Sequence, residues 1–175
     1  MTKKTMSLVA VLLLVLSLGL LPAAAAETEE NTIYVNIANA GKLEAAMEPI
    51  TLADADGDGA LTVNDALILI HDAKYEGGAA AGFATADSQY GPMITKLWGV
   101  ENGGSYGYYV NNTMSMGLTD PVAAGDVVYA FVYADAAGFS DAYSYFDKSQ
   151  AEIADGEELT LTLSKADGFD ANYAP

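Results

Sequence analysis

Residues 54–65 constrain this chain more than any other stretch. They read Asp54-Ala55-Asp56-Gly57-Asp58-Gly59-Ala60-Leu61-Thr62-Val63-Asn64-Asp65. A twelve-residue calcium loop takes side-chain oxygens at positions 1, 3 and 5 and a backbone carbonyl at 7. It adds a ligand at 9, often through water, and a carboxylate at 12. Counting from Asp54 assigns these places to Asp54, Asp56, Asp58, the carbonyl of Ala60, Thr62 and Asp65. Gly59 falls where the chain must turn sharply and a Cβ is costly. Leu61 is apolar, as suits a side chain packed behind the loop. The last ligand position carries Asp in place of the usual Glu. This donor set of hard oxygens implies Ca2+ as the cofactor, since Mg2+ demands stricter octahedral geometry and keeps more of its water. Asp and Gly also gather in ordinary solvated turns. Such a turn does not require the full positional match with a helix directly after it.

That helix is predicted over Thr62–Tyr75. Val63, Ala66, Leu67 and Ile70, with Ala73 or Lys74, recur at three- and four-residue spacing and form one apolar stripe. Gly77-Gly78 ends it. His71, the single histidine, lies about one turn past Leu67 and is expected at the surface or edge of the stripe, packed against neighbours. Loop and helix together, from Asp54 to Tyr75, resemble the calcium repeat of dockerin modules, which also carry Asp at the last ligand position before an apolar helix. The resemblance implies a cohesin-type scaffold as partner. Dockerins normally carry two such repeats, and this chain carries one. Asp135 to Asp147 has the wrong spacing, and Asp167-Gly-Phe-Asp170 is too short.

Residues 1–26 have the form of a secretory signal peptide. Lys3 and Lys4 precede the apolar run Leu8–Leu21, Pro22 breaks it, and Ala24-Ala25-Ala26 offers a cleavage site before Glu27. An uncleaved anchor is the alternative, since Met6–Ala26 is nearly long enough to span a bilayer. The expectation is a secreted, extracellular or cell-surface protein of bacterial type, with no membrane insertion after cleavage. Two of the seven basic residues lie in this leader and all 24 acidic residues follow it, leaving five cations and a formal net charge of −19. Such a charge excludes binding to nucleic acid or to anionic membranes by electrostatic attraction. The chain has no cysteine, so disulfides, zinc-thiolate sites and cysteine nucleophiles are excluded. Residues 27–175 are long enough to bury a core of their own.

Glu27 to Asn31 is an acidic start. Ile33, Val35 and Ile37 alternate with Tyr34, Asn36 and Ala38, which predicts a strand. A turn at Asn39-Ala40-Gly41 leads to a second strand over about 42–52, interrupted near Pro49, and so to a hairpin. Ala79 to Pro92 reads as loop or a short helical piece. Strands are predicted at Ile94–Gly99, carrying Trp98, and at Tyr106–Asn111, with Glu101–Gly104 as the hairpin turn between them. Val127–Ala134 is the clearest strand: Val128, Ala130, Val132 and Ala134 form a small apolar face, and Val127, Tyr129, Phe131 and Tyr133 a bulky one. A last strand is predicted over Glu158–Ser164, with Leu159, Leu161 and Leu163 inward.

Hairpin, helix, then strands predicts an α+β fold with a mixed sheet around one main helix, the order of a β-grasp. Tyr108-Tyr-Val-Asn-Asn112 and Asp120-Pro-Val-Ala-Ala-Gly-Asp126-Val-Val-Tyr-Ala-Phe resemble late β-grasp strands. With Trp98, they resemble secreted bacterial domains related to the C-terminal β-grasp domain of transcobalamin, over about 100 residues. No residue here specifies cobalamin, and that ligand is not carried over. The organisation so read is a leader (1–26), a calcium-binding β-grasp-like domain (27–164), and a tail or the start of a further domain (165–175).

Catalysis has little support. No Ser-His-Asp order, G-x-S-x-G, Walker loop or dinucleotide fingerprint is present, and Asn102-Gly-Gly-Ser105 reads as a turn. A calcium sensor needs paired loops around an opening groove. The chain has eleven tyrosines, and Tyr offers an apolar face with a polar tip. Trp98, Tyr106, Tyr108, Tyr129 and Tyr133 are therefore candidates for contact with a protein or carbohydrate partner, unless they cover the second face of the sheet. The resulting expectation is a secreted, calcium-stabilised, non-catalytic binding or adhesion module. The alternative is a dockerin-like module docking on a cohesin-type scaffold.

Overall fold

A computed structural model describes residues 31–165. The leader expected over 1–26, the acidic start up to 30, and all but the first residue of the 165–175 tail lie outside them. Strands β1 (Thr32–Asn39) and β2 (Lys42–Thr51) form an antiparallel hairpin. Gly41 takes φ 76° in its turn, where a Cβ would be strained. Pro49 does not interrupt β2. This strand is the edge of the sheet, where a missing N–H removes no ladder bond. The pairing shifts register after Val35 and again after Ile37; the first shift lies opposite Met47, which takes φ 47° and whose N–H donates to the Asn36 side chain at 2.8 Å.

Helix α1 (Val63–Lys74) follows the acidic loop, and α2 (Gly78–Gly82) is one short turn. Then come β3 (Ala84–Ser88), β4 (Gly91–Lys96), β5 (Tyr106–Val110), β6 (Thr113–Met114) and β7 (Val127–Val132). The main sheet has the order β2-β1-β7-β5-β6. β1 and β7 are parallel, and the other pairs are antiparallel. A parallel pair cannot be joined by a tight turn, so the chain between β1 and β7 must cross over, and it carries α1 across one face. The architecture is α+β.

The core lies between that helix and the two central strands. Ile33, Val35 and Ile37 of β1 and Val128, Ala130 and Val132 of β7 meet Val63, Ala66, Leu67 and Ile70 of α1, none more than 7 % exposed. Each large aliphatic side chain so buried contributes roughly 1.5–3 kcal/mol. The small face predicted for β7 is the one that takes the helix.

Three further expectations about strands and turns are corrected. The segment 79–92 does begin with a short helical piece, the rest of α2, but it then holds a strand and the start of another, because β3 and β4 form their own two-stranded sheet. β3 is Ala-Thr-Ala-Asp-Ser and largely exposed, so it carries no apolar alternation to read. Glu101–Gly104 is not a hairpin turn, since β4 pairs with β3 and β5 pairs with β6 and β7; it connects two sheets. The last strand covers only β9 (Leu163–Lys165), paired with β8 (Ser144–Phe146) in a third small sheet. Leu159, Leu161 and Leu163 are 40, 41 and 63 % exposed and do not point inward. Alternation identified a two-faced segment, but the core face was already filled by α1.

His71 is fully buried, against the expectation of a surface or edge position. Its Nδ1 lies 2.6 Å from the carbonyl oxygen of Leu67 and its Nε2 accepts the Trp98 N–H at 3.0 Å. Only the neutral ring protonated on Nδ1 satisfies both contacts. Burial, the largest cause, holds its pKa below the ordinary 6.5, opposed by the Leu67 carbonyl and by Asp72. A lowered folded pKa means the unfolded chain binds the proton first. The stabilisation is therefore complete above about pH 6.5 and is lost as pH falls toward the folded value. Urea unfolding should show stability falling below pH 6.5 with a slope of up to about 1.4 kcal/mol per pH unit. His71→Gln should remove that step and leave the carboxylate-driven loss near pH 4.

Candidate metal centre

The acidic loop is wound by its own backbone amides. Asp54 accepts from three of them: Oδ1 from Gly57 N–H at 2.7 Å and Asp58 N–H at 3.1 Å, and Oδ2 from Gly59 N–H at 3.0 Å. Asp56 Oδ1 accepts from Asp58 N–H at 3.1 Å, and Asp58 Oδ1 from Ala60 N–H at 2.8 Å. Gly57 and Gly59 take φ 80° and 88°, left-handed conformations that let the chain curl around these side chains. The result gathers Asp54, Asp56 and Asp58, each offering an oxygen within 4.8 Å of the others. Two oxygens on one calcium at 2.3–2.6 Å are at most about 5 Å apart, so the three fit around a single cation of that size. All three are exposed. Among the described residues this is the one group of His, Asp and Glu side chains so arranged.

The remaining expected ligands are placed differently. Asp65 is fully buried. Its Oδ1 accepts from Ala55 N–H at 2.7 Å and Asp56 N–H at 3.3 Å, and its Oδ2 from Thr62 N–H at 2.9 Å and the Thr62 hydroxyl at 2.8 Å. Thr62 is the N-cap of α1, and its hydroxyl also receives Asp65 N–H at 3.5 Å, completing a capping box. Asp65 is one methylene shorter than Glu and is drawn back to the helix end, so the structure brings three carboxylates together, not four. Ala60 lies in the exposed loop and Leu61 packs against the core.

Two elements that sequence reasoning missed hold the loop in place. Asn64 donates from Nδ2 to Asp56 Oδ2 at 2.7 Å. The segment 118–122 clamps the loop exit: Val63 N–H donates to Asp120 O at 3.0 Å, Asn64 N–H to Leu118 O at 2.9 Å, and Val122 N–H to Leu61 O at 2.9 Å. The Asn64 contact falls within the loop, but no local pattern pairs 118–122 with residues 61–64. At the start of α1, Val63 and Ala66 are fully buried and offer no surface for docking.

The candidate partner residues separate into two groups. Trp98, Tyr106 and Tyr108 pack against the core on the helix side of the sheet. Trp98 sits at φ 49° in the turn after β4, with its ring 5.0 Å from His71 and 5.2 Å from Tyr75. The Tyr106 hydroxyl lies 2.8 Å from the carbonyls of both Thr95 and Val100. Burial, and secondarily Asp120, pushes the Tyr108 phenol up. These three are partly buried against the core. Tyr129 and Tyr133 lie on the opposite face with Phe131. There Tyr143, from the segment crossing that face, stacks on Tyr109 with ring centroids 3.9 Å apart and an angle of 7°. The Tyr143 hydroxyl donates to Asn112 Oδ1 at 2.7 Å. Burial, then neighbouring Tyr133, pushes the Tyr109 phenol to about 12. Between β2, β7 and residues 141–149 a groove of about 600 Å³ remains. Comparisons with protein-family models, curated proteins and solved structures find no match.

Because the bonds of Asp65 are made within the chain, Asp65→Ala should destabilise in chelator as well as in calcium. A charged buried acceptor with four donors is lost, and urea unfolding should report a cost of roughly 3 kcal/mol.

Proposed function

We propose that the chain is a secreted, non-catalytic binding module of a bacterial extracellular or cell-surface protein, stabilised by one Ca2+ at residues 54–65. The observation that carries this reading is the convergence of Asp54, Asp56 and Asp58, at the first three ligand positions, to within 4.8 Å. The capping of α1 by Thr62, at the ninth position, supports it. Asp54, Asp56 and Asp58 would hold the ion, with the Ala60 carbonyl and water completing the shell. Asp65 would act from behind the loop. The ion relieves repulsion among carboxylates in a chain of net charge −17 and fixes the entry of α1 onto the sheet.

A β-grasp is the fold reading we favour. Its support is the sheet order β2-β1-β7-β5-β6, with a parallel central pair and α1 in the crossover between them. A binding role is favoured by the aromatic groove on the face that α1 leaves uncovered.

With few charged ligands on an exposed loop, affinity should fall near that of extracellular modules, on the order of 10⁻⁴–10⁻³ M. At a hundredfold excess over the dissociation constant, calcium should stabilise by about 2.7 kcal/mol. Thermal melting of residues 27–175 should show a rise in Tm with calcium that magnesium does not reproduce and chelator abolishes. Asp54→Ala and Asp58→Ala should each remove the calcium-dependent rise, and Asp54→Ala should in addition lower the melt in chelator, because its carboxylate accepts three loop N–H groups. A calcium-dependent Tm in either variant equal to that of the parent would sink the assignment.

A further inference from the structure

We infer that the groove between β2, β7 and residues 141–149 binds a small ligand with an apolar, ring-bearing body and a single negative charge. This rests on the reading of the chain as a binding module, but not on the calcium loop. The volume, about 600 Å³, falls within the range of about 300–1,000 Å³ typical of small-molecule sites, whose walls are mainly apolar with a few polar groups. Tyr129 and Phe131 from β7, Leu43 and Met47 from β2, and Tyr145 from β8 supply such walls. The exposure of Leu43, 55 %, leaves apolar surface for a ligand to cover.

The charge of the ligand follows from the lysines. Lys42, Lys74 and Lys96 are ion-paired with Glu44, Glu48 and Glu101. Lys148 lines the groove and makes no ion pair or hydrogen bond among the described residues. It stands beside an apolar wall in a chain of net charge −17. The hydroxyls of Tyr129 and Tyr145 are likewise without hydrogen-bond partners among the described residues. One cation and two hydroxyl donors suit an acidic group. Asp141 also lines the groove, where its Oδ2 accepts Asp135 N–H at 2.9 Å. Its charge, with that of the whole chain, disfavours a ligand carrying more than one negative charge.

Two fluorescent probes with the same ring systems separate body from charge. 8-Anilinonaphthalene-1-sulfonate is a monoanion, and N-phenyl-1-naphthylamine is its uncharged counterpart. Titrations use residues 27–175 in calcium, below the melting transition and with circular dichroism confirming the fold. Both probes should bind at one site. Lys148→Gln should weaken the sulfonate about two- to fivefold, as expected for a partly exposed charge pair, and leave the uncharged probe unchanged. Ala46→Trp, at an exposed position on the groove wall, should weaken both at least tenfold without moving Tm. Absence of binding at 100 μM, equal effects of Lys148→Gln on the two probes, or full binding by Ala46→Trp would each overturn the inference. Asp58→Ala, held below its own melting transition, should bind both probes like the parent. Absence of a calcium response in the parent with retained probe binding therefore sinks the metal reading alone, and a calcium response in the parent without probe binding sinks only this one.

Discussion

The carboxylate of Asp65 holds the loop, the helix and the sheet in one arrangement. Its oxygens receive the N–H groups of Ala55 and Asp56 at the loop entry and the N–H and hydroxyl of Thr62 at the loop exit. Four donors on one buried carboxylate offset the cost of desolvating the charge. They also fix the distance between the two ends of the loop. Once those ends are fixed, Asp54, Asp56 and Asp58 have little choice but to share the space between them, and Val63, Ala66, Leu67 and Ile70 start from a defined angle over β1 and β7. A glutamate at the same place would reach further into the loop. The aspartate instead caps the helix, and its hydrogen bonds order the loop from within the chain.

The second constraint is the parallel pairing of β1 with β7. It forces everything from Gly41 to Asp126 to travel out and back, and the segment 118–122 returns past the loop exit before β7 begins. This return explains why the loop is clamped by residues more than fifty positions away: Val63 and Asn64 donate to Asp120 and Leu118 because the chain must pass there to reach β7. The crossover also places the Trp98 turn against the C-terminal end of α1, where the backbone N–H of Trp98 meets Nε2 of His71. One histidine thus joins the helix to the connection between β4 and β5.

What could be read from the sequence follows from how far each signal reaches along the chain. The hairpin, α1 and the core of β7 are visible because each has its own period: Ile33-Val35-Ile37, Val63-Ala66-Leu67-Ile70, Val128-Ala130-Val132. The candidate metal loop is visible because the residues expected to act as ligands lie within twelve positions. Even so, the role of Asp65 was not, because position alone does not show whether a carboxylate faces an ion or a helix end. Strand β3 was invisible for lack of branched residues, and the leucines at 159, 161 and 163 were misplaced because alternation names two faces without saying which element covers either. His71 was misread for a related reason: its partner is Trp98, 27 residues away, and nothing local announces a backbone donor.

The aromatic residues make the same point about function. Tyrosine count suggested a contact surface, yet β5 splits its tyrosines between the faces of the sheet. Tyr106 and Tyr108 pack toward α1, and Tyr109 toward Tyr143. A sheet covered by one helix leaves its other face to water unless something else lies across it. Here the segment after β7 partly does so, stacking Tyr143 on Tyr109 but stopping short of β2. Complete coverage would have made these rings a second core. Partial coverage leaves Tyr129, Phe131 and Leu43 around an open groove, and this difference between a filled and an unfilled face, not the number of tyrosines, argues for a ligand.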